Sequence, residues 1–534
     1  MHTKNQKSKL FFLFTLFLTA CSYNYGSPAI NNPNLYENSN SSEINQTINS
    51  TELVFIQSAD PPSFDPHNNN DSVSTEATSQ IFETLTTFDE NGTVVGLLAY
   101  SFLNLDDYTW EFNIRSGVYF HDGAYLNAQA VYTSLTRLLD PENASVRAFM
   151  LSAISEVVII DEYTIQIITE VPFGPLPAHL ANPAGKIISP LAIEKEAQDG
   201  LTINENPIGT GPFVFVSRAH GAYTLFERFE EYWGTPALSE TLRFVSVTEP
   251  ATRSAMLETG EGHVTSLQPQ QVANFIGNGA VNLIQIPMNR LEYIGFNTQH
   301  PPFDNKLVRQ ALTMAINREN ILYGLAEGMG VLAHNPIAPG ISIAPDYSNL
   351  NTLEHNIELA KTLLTEAGFP NGFETTIYVG YGNTVRQLTA EYVQATLAQI
   401  GVTVHINFME WGAFLDAIDA GEHEMYVLGW TTTTGDPDMA IWPLYHSTMH
   451  GPSGNTVFHT NRIVDELLLR GRGTLDLEER EEIYLELAQI LIDTAARIYL
   501  YHPFANFGVR TEIEGMIVNS NGVPFFHSAI INNN

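Results

Sequence analysis

VTVHINFMEWGAFLDAIDAGEHEMYVLG, residues 402–429, is the stretch that decides the fold class. Its first seven residues alternate apolar and polar side chains, which is the period-2 pattern of a half-buried strand. Apolar residues at helical spacing follow over 411–420, and the apolar run 425–429 predicts a second strand. A strand, a helix and a strand in direct succession are typical of an α/β lobe.

Helices with recognisable ends flank this unit. Apolar side chains at helical spacing predict helices over 307–316, 357–367 and 385–400. Asp304 or Asn305 is the candidate N-cap of the first helix. Gly368 and Gly401 directly follow the other two, at the position where a helix commonly ends in a left-handed residue.

The rest of the chain adds strand signals in its first half and a long helix near its end. Strands are predicted at 53–56 and 110–114, and a hairpin with an acidic turn at 157–167. Residues 127–139 have helical spacing and stop before a proline. Asp476 and Glu479 form a capping pair that opens a long amphipathic helix.

The N-terminus has the features of an export leader. Three lysines precede the apolar run 10–20, which has the length of a signal peptide rather than of a membrane span. Leu18-Thr19-Ala20-Cys21 resembles a lipobox, in which the cysteine is acylated and becomes the new N-terminus. The alternative is an ordinary secretory signal, residues 1–20, with an incidental cysteine. Residues 21–51 are rich in asparagine and serine, and they predict a flexible tether between the lipid and the folded body.

The charge of the chain excludes two classes of partner. The net charge is −35, and cleavage before Cys21 would remove three lysines and no acid, which makes it −38. Such a body repels nucleic acid and anionic lipid headgroups. Cys21 is the only cysteine, so we expect no disulfide. No later apolar run approaches the roughly 20 residues of a membrane-spanning helix, so we expect the body to lie on the outer side of the membrane.

Several motifs occur in an order that identifies a family. They are SFDPH (63–67), WEFNIRSGVYFHDG (110–123), PIGTGPF (207–213), AINR (315–318) and GW (429–430). Together they resemble the bacterial extracellular solute-binding proteins of family 5. This is the peptide and nickel class that feeds ATP-driven importers, and the likeness points to its oligopeptide, dipeptide and glutathione branch. The resemblance covers nearly all of the mature chain.

The resemblance implies a two-lobed α/β fold of the periplasmic-binding-protein type, with mixed sheets flanked by helices and a hinge between the lobes. One lobe is expected to combine 52–85, 206–295 and 503–534. The second lobe is expected at 296–502, and a smaller inserted domain at 86–205. We expect a monomer without a cofactor.

The resemblance also implies a function. The protein would capture short peptides between the lobes and deliver them to the permease and ATPase subunits of an ABC importer. It would do so from the outer face of the cell membrane, or the periplasmic side, held by the lipid on Cys21. Glutathione, a nickel chelate or haem are alternative ligands, and sensing of a peptide signal is an alternative role.

The best candidate for ligand contact is the segment after the 425–429 strand, because α/β lobes receive ligands at strand ends. Its candidate residues are Trp430, Thr431, Thr432, Thr433, Thr434, Gly435 and Asp436. In relatives that bind free peptides, an aspartate three residues after the tryptophan pairs with the peptide's amino group. Thr433 stands at that position here, so an ammonium group would be held by Asp436, by Glu410 or by backbone carbonyls, or it would not be held at all.

A ligand carboxylate is best bound by a bidentate guanidinium. Arg386, at the start of the helix over 385–400, lies near the family's carboxylate-binding arginine, and Tyr381 shortly precedes it. A surface arginine with no partner is the alternative for Arg386.

Metal binding and catalysis are not predicted. His446 and His450 have a spacing that could bind zinc or nickel on a helix, with His459 nearby, but glycine and proline follow and indicate a loop. The chain has no Gly-x-Ser-x-Gly elbow, no His-Glu-x-x-His pair and no Walker loop. We therefore expect capture of a ligand rather than chemistry on it.

Overall fold

The computed structural model describes residues 52–69, 71–89, 92–341, 347–381, 383–451 and 454–532. The predicted signal peptide, the lipidation site at Cys21 and the tether up to residue 51 lie outside the described residues, so all three stay predictions.

The strands of the described residues are numbered in chain order. They are β1 (Leu53–Gln57), β2 (Thr86–Phe88), β3 (Val94–Gly96), β4 (Ala99–Asn104), β5 (Thr109–Ile114), β6 (Ile154–Asp161), β7 (Thr164–Thr169), β8 (Phe213–Ala219), β9 (Tyr223–Arg228), β10 (Thr241–Ser246), β11 (Val264–Ser266), β12 (Val281–Pro287), β13 (Arg290–Phe296), β14 (Gly330–Leu332), β15 (Glu374–Gly380), β16 (Thr403–Met409), β17 (Met425–Thr431), β18 (Arg497–Arg510), β19 (Ile513–Glu514), β20 (Ile517–Val518), β21 (Pro524–Phe525) and β22 (Ile530–Ile531).

The α-helices of the described residues are also numbered in chain order. They are α1 (Ser72–Ile81), α2 (Ala128–Leu139), α3 (Leu176–Leu180), α4 (Pro190–Asp199), α5 (Pro250–Thr259), α6 (Pro269–Phe275), α7 (Lys306–Ala315), α8 (Arg318–Gly324), α9 (Ile357–Glu366), α10 (Thr384–Leu397), α11 (Trp411–Asp419), α12 (Pro437–Tyr445), α13 (Arg462–Gly473) and α14 (Leu477–Thr494).

One long strand joins two halves of a large mixed sheet. The sheet runs in the order β16-β15-β17-β13-β18-β11-β1-β10-β9-β8, and β12 and β14 also pair with β18. The first part of β18 pairs with β13 up to Tyr501, and its later part pairs with β12 from Phe504 onwards. β18 therefore passes from one half of the sheet to the other near residues 502 and 503.

The half that contains β13 buries both of its faces. Ile294 and Val427 lie in a core with α7, α9 and α10, whereas the neighbouring Tyr293 and Tyr426 lie in a second core with α11, α12, α13 and α14. Successive strand residues point to opposite faces, so this division follows directly from the strand period.

A separate four-stranded sheet, β4-β5-β7-β6, lies within residues 86–205 and carries α2. Its core also takes in Met439 of α12, which belongs to a distant part of the chain. The inserted segment therefore packs against a helix of the second half.

The local predictions are largely confirmed. Asn305 caps α7, Asp476 caps α14, and Gly368 and Gly401 both have positive φ angles. The predicted hairpin is formed by β6 and β7, and the predicted strand–helix–strand unit by β16, α11 and β17.

Two elements differ from the sequence predictions, and the strand pairing also bears on the predicted lobe boundary. β17 continues to Thr431, two residues beyond the predicted end, because it pairs with β13 along its full length. Helix α12 was not predicted, since the prolines at 437 and 443 argue against a helix. Pro437, however, occupies the first turn, where a backbone N–H would have no intrahelical partner to bind.

β13 pairs with β17, so the strand pairing favours a lobe boundary near residues 288 and 289 rather than at 295. The domain boundaries themselves stay a prediction.

Candidate ligand-binding cleft

The topology places the carboxyl ends of several strands around the β18 crossing. β15, β16 and β17 are parallel, and Arg290 at the start of β13 pairs with Thr431 at the end of β17. In the other half, β1 and β11 are parallel, and β11 pairs with β18. Strand ends from both halves therefore face the crossing, and the carboxyl edges of parallel strands are where α/β folds receive ligands.

The segment that follows β17 contacts two other parts of the chain. The Nδ2 atom of Asn182 donates a hydrogen bond to Oγ1 of Thr433 at 2.5 Å, and Nδ2 of Asn521 donates to the Thr433 carbonyl at 3.1 Å. Asn182 belongs to the inserted segment, and Asn521 lies in the turn between β20 and β21. Thr433 therefore stands where the second half, the insert and the C-terminal segment meet.

The side-chain oxygen of Asn521 accepts no hydrogen bond from the described residues. Its Oδ1 atom is buried and has no hydrogen-bond partner among the described residues, while its Nδ2 is used on Thr433. A buried amide oxygen without a donor costs free energy unless a ligand or water supplies an N–H or O–H. This oxygen is thus a candidate acceptor for a ligand at Thr433.

Three other residues of the segment predicted to contact the ligand make contacts within the protein that pack the loop. Thr432 donates its backbone N–H to the Asn289 carbonyl at 2.7 Å, and the hydroxyl of the buried Thr434 accepts from the Asp436 amide. Gly435 has a φ of +60°, and a Cβ there would come within 3.0 Å of the Phe88 ring. These residues shape the turn that presents Thr433.

Asp436 is engaged within the protein. Its carboxylate pairs in a bidentate fashion with Arg480 of α14, at 2.8 and 3.0 Å, and also accepts from the Asp438 amide as the N-cap of α12. Both side chains are almost fully buried. The sequence left Asp436 open as the acid for a ligand ammonium, but the geometry assigns it to holding α12 in place.

Trp430 connects two cores. Its Nε1 donates to the Met439 carbonyl at 2.8 Å, and its ring packs against the core of the insert and the core beneath α12. Trp430 therefore links the loop to α12, and its contact with a ligand stays a prediction.

Arg386 is part of a buried charge cluster. It donates to both carboxylate oxygens of Glu292, at 2.8 and 3.0 Å, and its side chain is only 8% exposed. Arg290 donates to the same carboxylate at 2.7 Å and, through Nη1, to Oγ1 of Thr431 at 2.8 Å. Direct contact between Arg386 and a ligand stays a prediction, and the geometry favours Arg290, whose side chain is 27% exposed.

The cluster carries an excess positive charge. Burial would raise the pKa of Glu292, but the guanidinium groups of Arg386 and Arg290 outweigh it and hold the pKa at about 2. Two cations thus share one anion at the edge of the sheet. Gly429 leaves the room for this arrangement, because a Cβ there would lie 2.4 Å from the Glu292 carboxylate and 2.6 Å from Arg290.

Exposed groups surround the ends of β15 and β16. Tyr381 is 57% exposed and stacks on Phe408 with ring centroids 5.9 Å apart. Trp411 is 42% exposed, and the exposed Glu410 caps α11 through the Ala413 amide. Glu410 makes no ion pair with the described residues, so its carboxylate is available at the same sheet edge as Thr431.

The histidines after α12 do not converge. His446 stacks on Trp442, and the ring of His450 contacts the His459 carbonyl. Within the described residues, no group of three or more histidine, cysteine, aspartate or glutamate side chains could hold a metal ion. The described residues of the predicted loop after α12 include a short 3-10 turn, Ser447–Met449.

Comparison with known families decides the class of protein. The family model described as bacterial extracellular solute-binding proteins, family 5 Middle, matches residues 93–451. The chain belongs to this family. Members are non-enzymatic solute-binding components of ABC importers, so the expected class is confirmed.

Curated relatives and solved structures agree with this assignment. The glutathione-binding protein GsiB of Pectobacterium atrosepticum is 32% identical over 448 residues, covering 82% of this chain and 86% of the relative. The structure of the periplasmic binding protein DppA from Helicobacter pylori in complex with the peptide STSA is 28% identical, covers 90% of this chain and 98% of that chain, and has a TM-score of 0.80. The dipeptide-binding protein of Pseudoalteromonas sp. SM9913 in complex with Met-Leu is 26% identical, covers 90% of this chain and 100% of that chain, and has a TM-score of 0.79. The α/β periplasmic-binding-protein fold is thereby confirmed.

Four residues that contact the candidate loop or Arg386 were not predicted from the sequence. Arg290, Glu292, Asn182 and Asn521 stand far along the chain from the loop and carry no motif. The one available signal was the alternation of polar Arg290 and Glu292 at the start of an otherwise apolar strand.

Proposed function

We propose that this solute-binding protein captures short peptides in the cleft around the β18 crossing and passes them to a membrane permease. The observation that carries the proposal is the position of Thr433, which touches the insert and the C-terminal segment at the carboxyl edge of the second half-sheet. A ligand bound there contacts all three parts of the chain at once. Such a site suits capture by closure around the ligand.

We assign the carboxylate of the ligand to Arg290. Arg386 is buried behind Glu292, whereas Arg290 is partly exposed and its Nη2 donates no hydrogen bond within the described residues. A guanidinium with a free donor is well suited to a carboxylate. Because Arg386 offsets Glu292, Arg290 keeps an uncompensated charge for the ligand.

The amino end of the ligand has weaker partners. Thr433 carries no charge, Asp436 is bound to Arg480, and the acceptors left are the Asn521 Oδ1 atom and the exposed carboxylate of Glu410. This arrangement tolerates ligands in which the amino group is not the main point of attachment. It supports a broad peptide specificity with affinities on the order of micromolar.

Glutathione is the second candidate ligand. Curated relatives at 32 to 33% identity are named glutathione-binding proteins. Glutathione is a tripeptide with two carboxylates, which matches the excess positive charge at Arg290. A nickel chelate finds less support, because no metal-holding group is present among the described residues.

The membrane attachment is proposed from the sequence. Acylation at Cys21, followed by the asparagine- and serine-rich tether, would hold the protein at the outer face of the membrane beside its permease. No helix of the described residues is long and apolar enough to cross a membrane.

A ligand panel tests the proposed function. Isothermal titration calorimetry with di- to pentapeptides, glutathione and nickel–histidine is expected to give saturable heats for peptides or glutathione. Matching peptides with an amidated C-terminus are expected to bind more weakly, because they lack the partner for Arg290. Binding of nickel–histidine alone would overturn the peptide proposal.

A further inference from the structure

An acidic side chain without an ion-pair partner lies beside the carboxyl end of β1. Glu76 of α1 is half-buried, and its Oε2 atom accepts a hydrogen bond from Nε2 of Gln57 at 2.7 Å. Within the described residues, this carboxylate makes no ion pair with an arginine, a lysine or a histidine. Its one observed side-chain donor is therefore a neutral amide.

Gln57, the last residue of β1, brings a second acceptor to the same place. Its side chain is fully buried, and Nε2 donates both to Glu76 and to the Val73 carbonyl, which fixes the orientation of the amide. The Oε1 atom has no hydrogen-bond partner among the described residues. Because Oε1 and Nε2 are bonded to the same carbon, this unpaired oxygen lies next to the carboxylate. A buried carbonyl oxygen without a donor calls for an N–H or O–H from outside the protein.

The pair belongs to the first half's side of the cleft. β1 ends at Gln57, and the carboxyl ends of β1 and β11 face the β18 crossing. One turn further along α1, Gln80 donates to the Pro524 carbonyl at 2.8 Å. Asn521, which binds the Thr433 carbonyl, lies three residues before Pro524. Helix α1 therefore connects Glu76 to the turn that touches the ligand loop.

The groups around Glu76 come from α1, α5 and β1. Partial burial raises the pKa of Glu76 to about 8; the Gln57 hydrogen bond and Arg253 of α5 oppose this rise, and Asp71 at the start of α1 adds to it. Arg253 is engaged elsewhere, since its Nη1 donates to two backbone carbonyls at 2.9 Å. Without a ligand, the carboxyl group thus holds a proton at neutral pH. A cation placed beside it favours the charged form and displaces that proton.

We propose that Glu76 and the Oε1 atom of Gln57 form a subsite for an ammonium group of the ligand. An ammonium group has three N–H donors and no acceptor, which matches a carboxylate beside an unpaired carbonyl oxygen. The group belongs either to a lysine-type side chain or to the amino terminus of a peptide. The inference rests on the proposed function, and it adds a carboxylate of the first half to the neutral acceptor at Asn521.

Two matched ligand pairs test the subsite by calorimetry on the full chain at about pH 7.5. N-acetylated Ala-Lys-Ala and N-acetylated Ala-norleucine-Ala differ in the side-chain charge, and Ala-Ala-Ala and its N-acetylated form differ in the charge of the amino terminus. We expect the charged member of one pair to bind about fivefold or more tightly than its neutral partner. Glu76→Gln, which keeps an acceptor for Gln57, is expected to remove this preference. Glu358→Gln is the matched control, because Glu358 is 84% exposed on α9 of the other half.

The outcomes separate the subsite from the proposed function. The pair whose preference disappears in Glu76→Gln identifies the ammonium group as the side chain or the amino terminus. Binding of all four peptides with no preference in the wild type, or a preference that survives in Glu76→Gln, overturns the subsite and leaves peptide capture standing. Binding of none of the four peptides overturns peptide capture and the subsite with it.

Proton release keeps the test valid if Glu76→Gln folds poorly. Binding of the N-acetylated lysine peptide to the wild-type chain is measured near pH 7.5 in two buffers that differ in their enthalpy of ionisation. We expect release of protons with the lysine peptide and less release with the norleucine peptide, because the ammonium group displaces the proton of Glu76. If the side chain is the bound group, equal proton release for the two peptides overturns the subsite. If the amino terminus is the bound group, the same comparison is made with Ala-Ala-Ala and its acetylated form.

Discussion

The side-chain amide of Asn182 donates a 2.5 Å hydrogen bond to the hydroxyl of Thr433. The two residues are 251 positions apart, and their contact brings the insert onto the loop that follows β17. The family resemblance leads us to expect an aspartate at the position of Thr433 in peptide-binding relatives, so Thr433 is a departure from the expected pattern. The structure adds that this position is still an interface between parts of the chain.

A carboxylate at this position is expected to strengthen peptide binding. Thr433→Asp would place an anion close to Asn521, whose Oδ1 atom is the neutral acceptor proposed for the ligand's amino group at this position. A charge-assisted hydrogen bond contributes about 1.5–3 kcal/mol, so affinity for peptides with a free amino terminus is expected to rise about tenfold or more. Calorimetry with a peptide and its N-acetylated form measures the change.

Thr433→Asn is the neutral control for that substitution. It keeps the size of the new side chain and can still hydrogen-bond Asn182, but it adds no charge. If both variants changed affinity equally, or if the acetylated peptide gained as much as the free one, the placement of the amino group at Thr433 would be wrong.

Arg290 is expected to select ligands with a free carboxylate. Arg290→Gln keeps a hydrogen-bonding side chain near Thr431 but removes the excess positive charge of the cluster. We expect affinity for a free tripeptide to fall about tenfold or more, and affinity for the amidated tripeptide to stay nearly unchanged. Equal losses for the two ligands would show that the arginine acts on the fold rather than on the carboxylate.

Arg386 is expected to matter for stability more than for ligand choice. Arg386→Leu leaves the buried Glu292 with Arg290 as its remaining cation, and breaking a buried pair costs about 3 kcal/mol. Urea denaturation should therefore show a lower free energy of unfolding. Replacing both partners, as Arg386→Leu with Glu292→Met, should recover much of the loss, and a double variant less stable than the single one would contradict this account.

The stability of the protein is expected to fall in mild acid because of buried histidines. His67 accepts from Arg137 at Nδ1 and donates from Nε2 to the Lys186 carbonyl, so the neutral ring fits its site. Burial lowers the pKa of His67 to about 4, despite the opposing effect of Asp65. Between this value and the ordinary 6.5 of the unfolded chain, the unfolded state binds more protons, so the free energy of unfolding decreases as the pH falls through that interval.

His67→Gln tests this pH dependence. The variant should show a shallower decrease of the free energy of unfolding between about pH 6.5 and about pH 4, measured by urea denaturation at several pH values. The exposed His220→Gln serves as control. An unchanged slope in His67→Gln would mean that His67 is not one of the groups that couple stability to pH.

The sequence predicted the local structure where the cause is local. Gly368 and Gly401 end their helices because glycine adopts a positive φ without strain, and Asn305 and Asp476 cap theirs through their own side chains. Such signals lie within a few residues of the feature they produce. They were therefore visible without any knowledge of the tertiary structure.

The site was predicted less completely, because its partners are distant in the chain. Glu292 is 94 residues from Arg386, and Asp436 is 44 residues from Arg480. Periodicity and motifs describe a single segment of the chain. Neither could show that Arg386 is paired with Glu292, or that Asp436 is paired with Arg480. Helix α12 was missed for a different reason, since Pro443 lies inside a helix that is held by buried contacts on both sides.

The central claim is that this family member captures short peptides in the cleft at Thr433 and Arg290. Native mass spectrometry of the chain, purified without a refolding step, tests it most directly. The account predicts a mass excess from co-purified short peptides or glutathione, and a smaller excess for Arg290→Gln. A ligand-free mass that does not change on addition of di- to pentapeptides or glutathione would contradict the account.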